Sequence, residues 1–292
     1  MKLLRNLLKS PMFVIGTLLF VSTLLIAVLG PFVYNVNTNQ VTGPYAAPGT
    51  MGSWADPQSG QTIQPYLLLG SDNMGRDNVS LLILGLRSSL YVGLLAGVIA
   101  TTLGTLIGIY GGFRGGWIDD ALNSVTNLFI VIPSFVVLIL ISSSLSNGRS
   151  LTLIGLIIGM TTWTWSARAV RAQSAALKSR DHISLARMNG DNTLIILVKH
   201  ILPYLLSYVF MVFILQIASG ILSEAAISMI GLGPLDTQSL GVILNDAKSN
   251  GALGDGVWWA FFPASILITL IVFALYLINT SMEGVFNPRL RK

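Results

Sequence analysis

Six stretches of this chain run apolar almost without interruption, at about 12–34, 81–110, 121–145, 151–167, 201–232 and 257–280. A bilayer core needs roughly 20 apolar residues in helical form to span it. The runs lack the strict alternation of a barrel strand, and a helix satisfies its own backbone in lipid. The expected fold is therefore an all-α membrane protein with about six transmembrane helices. Composition agrees, because only 10% of residues are charged and the mean hydropathy is +0.73, whereas soluble domains carry roughly 25% charged residues. The first run follows Lys2, Arg5 and Lys9, as in a secretory signal, but ends in Gly-Pro-Phe-Val-Tyr without an Ala-x-Ala cleavage pattern. It reads as a retained anchor.

Basic residues orient the spans. With both termini cytoplasmic, the inside holds Lys2, Arg5, Lys9, Arg114, the six basic residues of segment 168–200, Arg289, Arg291 and Lys292, which is 13 of the 17. Arg76, Arg87, Arg149 and Lys248 remain outside. That asymmetry follows the positive-inside rule. It also explains the net charge of +5 without nucleic acid as a partner. The expected location is the cell (inner) membrane, multi-pass, with the lipid bilayer as the first partner.

The spans themselves hold little chemistry. The two ionisable residues within them, Arg87 and Glu224, fall near outer helix ends, within reach of the headgroups. No carboxylate sits at a midplane, which counts against proton or sodium coupling. Gly93, Gly97, Gly104 and Gly108 form two Gly-x-x-x-Gly pairs on one helix, a spacing that admits a close helix neighbour; lining a pathway is the alternative. Trp258 and Trp259 open the last span as an interfacial belt would. The chain has no cysteine, so disulfides and thiolate chemistry are excluded. His182 and His200 have only Asp181 and Asp191 nearby, too few for an expected metal site. No catalytic constellation lies in the spans.

The segment 168–200 carries the sharpest expectation. Residues 165–203 read WSARAVRAQSAALKSRDHISLARMNGDNTLIILVKHILP. This predicts a helix running out of the membrane from Trp165, a short helix closing near Gly190, and another leading to Pro203. Glycine suits the left-handed backbone that closes helices. Composition does not separate a short docking helix from a solvated loop.

The same stretch resembles the cytoplasmic loop of ABC-importer permeases, whose pattern is E-A-A, three residues, G, nine residues, I-x-L-P. Gly190, Leu202 and Pro203 match it, as does Ala186. Ser184 stands at the glutamate position, Leu185 at the first alanine and His200 at the isoleucine. The letters Glu224-Ala225-Ala226 fall outside, with Gly231 one residue too far along. Four further stretches resemble the oligopeptide, dipeptide and nickel branch, as a second, C-type permease. They are LGSDNMGRDNVS (69–80) with Asp72, Gly75, Arg76 and Asp77; GIYGGFRGGWIDD (108–120); SEAAISMIGLG (223–233) with Glu224, Gly231 and Gly233; and FNPRLRK (286–292).

The resemblance implies a type I importer permease fold with a cytoplasmic coupling helix. Its parts would be the tail and first span at 1–34, an extracytoplasmic loop at 35–80, a core at 81–285 with coupling segment 168–200, and a tail at 286–292. His182, Ile183, Ser184, Leu185, Ala186, Arg187 and Gly190 would meet an ATPase. The implied partners are a homologous permease, two ATPase subunits and an extracytoplasmic substrate-binding protein. ATP and Mg would be used by the partner subunits, with no cofactor on this chain and no enzyme activity of its own. Peptides are the expected substrate, with oligosaccharides or nickel as alternatives. A stand-alone secondary transporter or channel is the reading from another class. Asp72, Gly75, Arg76 and Asp77 could contact the receptor or fold the outer loop on itself, the Gly-Arg-Asp sequence also suiting an ordinary helix entry, and Glu224 is expected to pair within the outer ends of the helices.

Overall fold

The computed structural model describes residues 7–55, 62–145 and 149–286. Lys2, Arg5 and nearly all of the FNPRLRK stretch lie outside the described residues. Helix α1 (Pro11–Val33) is followed by a loop in which β1 (Thr50–Met51) pairs antiparallel with β4 (Tyr66–Leu67), and β2 (Trp54–Ala55) with β3 (Thr62–Ile63). Next come α2 (Asn78–Arg114), α3 (Gly116–Val131), α4 (Ser134–Ser144), α5 (Leu151–Lys178) and α6 (Asp181–Met188). The chain ends its described part with α7 (Thr193–Leu232), α8 (Leu240–Ser249), a single turn at Trp258–Ala260, and α9 (Phe262–Phe286).

Helices α1, α2, α7 and α9 are long and apolar enough to cross a bilayer, and α3 with α4 would make a fifth span. The run expected at 121–145 is not one rod. It bends by 71°, because Pro133 lacks an N–H and forces Ile132 into extended backbone (φ −82°, ψ 118°). The run expected at 151–167 lies in α5, which continues unbroken to Lys178. Its aliphatic first turns give way to Thr161, Thr162, Thr164 and Ser166, so it falls short of a span by composition alone.

Glycines set how tightly the bundle closes around α2. A Cβ on Gly97 would stand 3.1 Å from the Ile217 amide nitrogen of α7, and one on Gly108 would stand 2.6 Å from the Ala167 carbonyl oxygen of α5. Gly93 meets α7 and Gly104 meets α5 in the same way. These four glycines therefore pack helices, two against each neighbour. The outside of the bundle is apolar, as lipid contact demands: Leu18, Phe32, Leu94 and Phe273 are all exposed.

Contacts divide the chain between two ends. At one, Tyr45 Oη donates to the Asn250 carbonyl, Asn78 Nδ2 to the Trp259 carbonyl, and the Leu235 amide to Arg149. At the other, Ser10 meets Ser281 and Lys178 Nζ donates to the Arg114 carbonyl. The described basic residues of segment 168–200 join Arg114 at or toward this second end.

Candidate functional site

Helix α6 is a short foot with two unlike faces. Ile183 is fully buried and Ala186 nearly so, packed with Ile109 and Phe113 of α2, Val170 of α5 and Ile196, Ile201 and Leu205 of α7. Leu185 and Met188 are 58% and 83% exposed, beside exposed Asp181, Ser184 and Arg187. A helix of eight residues is too short to hold itself together in water, so this anchoring is what makes it stand. Arg187 adds to the anchor, its guanidinium carbon 5.1 Å from the Phe113 ring centroid. The His182 ring stacks on Tyr204 at 4.7 Å.

The end of α6 is closed by a hydrogen-bonded cap. The Gly190 amide donates to the Arg187 carbonyl and the Asp191 amide to the Ala186 carbonyl, both at 3.1 Å. That pair of bonds requires a left-handed residue between them, and Gly190 supplies φ +83°. A Cβ there would meet nothing, so backbone conformation rather than space demands glycine. The carboxylate of Asp191 then lies 3.1 Å from His200 Nε2, tying the cap to the start of α7. His200 lies within a π-helical stretch, Ile196–Ile201. The looser turn precedes Pro203, whose ring would otherwise press on the carbonyl four residues back.

The root of the foot is held by an ion pair that sequence reading missed. Arg171 donates to Asp119 through Nε at 2.6 Å and Nη2 at 2.8 Å, joining α5 to α3. The Asp119 hydrogen bonds raise the Arg171 guanidinium further above its usual range. Asp119 lies in the GIYGGFRGGWIDD stretch, but its partner is 52 residues away.

At the opposite end, Asp72, Gly75, Arg76 and Asp77 fold one turn. Asp72 Oδ1 accepts from the Met74 and Arg76 amides at 2.9 and 2.7 Å, and its Oδ2 accepts from Arg76 Nε. Gly75 has φ +73°. Asp77 caps α2 by accepting from the Val79 and Ser80 amides. Arg76 Nη2 reaches Asp246 of α8 at 3.5 Å. The polar atoms of the two motif aspartates are thus engaged internally.

Glu224, expected to pair within the helix ends, does so with hydroxyl partners and does not reach toward headgroups. It is fully buried, because Ser89 of α2 and Ser228 of α7 donate to its carboxylate at 2.9 and 2.7 Å, and Ser239 donates at 2.5 Å. Among the described residues no cation pairs with it. Gly233 has its α-hydrogen face against Ser228, and Gly231 turns the chain with φ +84°. Nothing in the sequence flagged the three serines, which come from distant positions.

A multi-pass helical bundle that builds a capped, anchored foot at one end has the form of a transport permease. Residues 104–292 match the family described as binding-protein-dependent transport system inner membrane component. The chain belongs to that family and is a permease subunit of a binding-protein-dependent ABC importer, embedded in the inner membrane by several helices. It is 30% identical over 290 residues to a putative peptide transport system permease protein of Brucella suis, covering 98% of this chain and 91% of the relative. It is 29% identical over 208 residues to the oligopeptide transport system permease protein OppC of Mycobacterium tuberculosis, covering 70% of each. With the OppC of Lactococcus lactis subsp. cremoris it shares 27% over 223 residues, 76% of this chain and 75% of that one.

Proposed function

We propose that this chain imports peptides as one of two homologous permeases, with two ATPase subunits on the cytoplasmic side and a substrate-binding protein outside. The observation that carries the coupling role is α6, whose exposed Leu185 and Met188 form an apolar tip while Ile183 and Ala186 are locked into the bundle. An exposed apolar tip on a basic end fits a cleft in a soluble partner better than it fits water. The peptide substrate rests on what the named relatives transport.

The end bearing α6 faces the cytoplasm in this reading, as do both termini. ATP and Mg are bound and consumed by the partner ATPases, and no cofactor resides on this chain. Closure of the ATPases pushes α6. Its load passes through Ile183 to α2, α5 and α7 together, so the three helices tilt as a unit. His182, Ser184, Leu185, Ala186, Arg187 and Gly190 shape the foot, with Ser184 in place of the usual glutamate. Leu202 and Pro203 connect it to α7.

Purification from the native membrane tests the assembly. The reading expects stoichiometric ATPase and a second permease, with peptide uptake in proteoliposomes only when ATP and the receptor are supplied. A lone chain that transports peptide without nucleotide contradicts it.

A further inference from the structure

A cavity of about 750 Å³ opens beside the bend between α3 and α4, walled by α5, α7 and α9. We infer that this cavity is the chain's share of the transport pathway, and that Arg168 at its mouth receives the free carboxylate of a passing peptide. The inference rests on the peptide-permease reading above and adds a site to it.

Polarity inside the bundle is the first argument. Thr161, Trp165 and Arg168 fall at helical spacing on one face of α5, and Gln216 and Ser219 do so on α7; all five line the cavity. Polar side chains at such depth are costly against lipid and are found where they face protein or water. The Thr161 hydroxyl donates back to its own helix at Ile157 and Ile158, which leaves its oxygen free to accept from a solute. Gln216 is buried and its Nε2 donates to the Thr162 carbonyl at 3.1 Å.

Charge is the second. Arg168 Nη2 donates to Asn127 Oδ1 at 2.9 Å, a neutral acceptor, and among the described residues no carboxylate pairs with it. Arg171, one turn further on, is by contrast paired with Asp119 through two hydrogen bonds. A planar guanidinium with a weak partner is suited to a carboxylate ligand. The half-exposed rings of Phe129, Trp165 and Tyr276 complete the wall. Aromatic faces accept side chains of many kinds, which suits a carrier of varied peptides. A second cavity of about 500 Å³, lined by Leu206, Phe210, Phe213 and Met282 among others, lacks such a charge and carries no comparable argument.

The test uses the complete transporter in proteoliposomes, with an oligopeptide and its C-terminal amide as paired probes. Binding of both to the receptor is measured alongside. Arg168→Gln is expected to slow uptake of the free-carboxylate peptide by about tenfold, as loss of a charged hydrogen bond implies, with uptake of the amide unchanged and Arg168→Lys restoring part of the loss. Equal loss for both peptides, or none, overturns the carboxylate assignment. Independently, Ser219→Cys in this cysteine-free chain is expected to react with a small charged thiol reagent far faster than Leu18→Cys, with peptide and ATP slowing it. Equal reactivity overturns the cavity as an aqueous path. Failure of the unmodified complex to import any peptide contradicts the peptide-permease reading and the substrate named here, and the labelling then decides whether the cavity is a pathway at all.

Discussion

The Arg187 guanidinium sits over the Phe113 ring, 5.1 Å from its centroid, and this contact fastens the last turn of the foot to the end of α2. Phe113 is itself buried among Ile109, Val170 and Ile183. A force on α6 therefore meets a packed core, not a hinge, before it reaches the spans. The same core distinguishes a lever from a loop that merely carries basic residues.

Removing the anchor should uncouple the machine before it unfolds it. Ile183→Ala deletes a fully buried side chain, at a cost of about 2–4 kcal/mol in a site that cannot collapse. The expected outcome is a lower melting temperature of the detergent-solubilised complex, with ATP hydrolysis retained and peptide uptake lost. Uptake that survives in proportion to hydrolysis would show that Ile183 transmits nothing.

The cap makes a separate prediction. Gly190→Ala forces a side chain into left-handed backbone, at roughly 1 kcal/mol, without any steric clash. Amide hydrogen exchange at residues 185–191 should accelerate several-fold, and exchange in α2 should not change. Gly190→Asn, which tolerates that conformation better, should lie between.

Glu224 is predicted to be structural at the end of the bundle opposite α6. Glu224→Ala leaves the hydroxyls of Ser89, Ser228 and Ser239 without their shared acceptor, on the order of 3 kcal/mol for a buried acceptor with several bonds. Protease cleavage within 233–256 should then rise, because α8 has lost the polar tether at its N-terminal Ser239. Ser239→Ala alone should give a smaller effect in the same direction.

Asp246 offers a pH readout. Burial raises its carboxyl above the ordinary value of 3.8, Arg76 offsets part of this, and Asp72 adds to it. A carboxyl raised in the folded state binds its proton more tightly there than when unfolded. Its stabilising contribution is therefore complete below about 3.8, the unfolded value, and is lost as pH rises through the raised folded value. Melting temperatures across an acid-to-neutral series should fall less steeply with rising pH in Asp246→Asn than in the unaltered chain. Identical slopes would remove Asp246 as a contributor.

Local signals made much of this legible from sequence. Long apolar runs announced helices because lipid leaves the backbone no other partner, and Gly190 announced a helix end because its backbone conformation strains other residues. Asp77 before an apolar run likewise marked the start of α2. Pro133 also carried its own signal, but the continuous hydropathy of 121–145 hid a bend of 71°. The Glu224 cluster was beyond sequence reading, since Ser89 is 135 residues away and hydroxyl donors have no characteristic spacing. The polar face of α5 was obscured for a different reason: Thr161 and Trp165 lie where a falling hydropathy looks like the end of a span.

The central claim is that α6 is the surface on which a cytoplasmic ATPase pushes. A single Met188→Cys in this cysteine-free chain, joined by a short thiol-to-amine crosslinker in native membranes, tests it most directly. A covalent product with the ATPase subunit, whose yield changes when ATP replaces ADP, is the predicted result. Labelling of that cysteine by a membrane-impermeant reagent added outside sealed cells, with no product to the ATPase, would contradict the account.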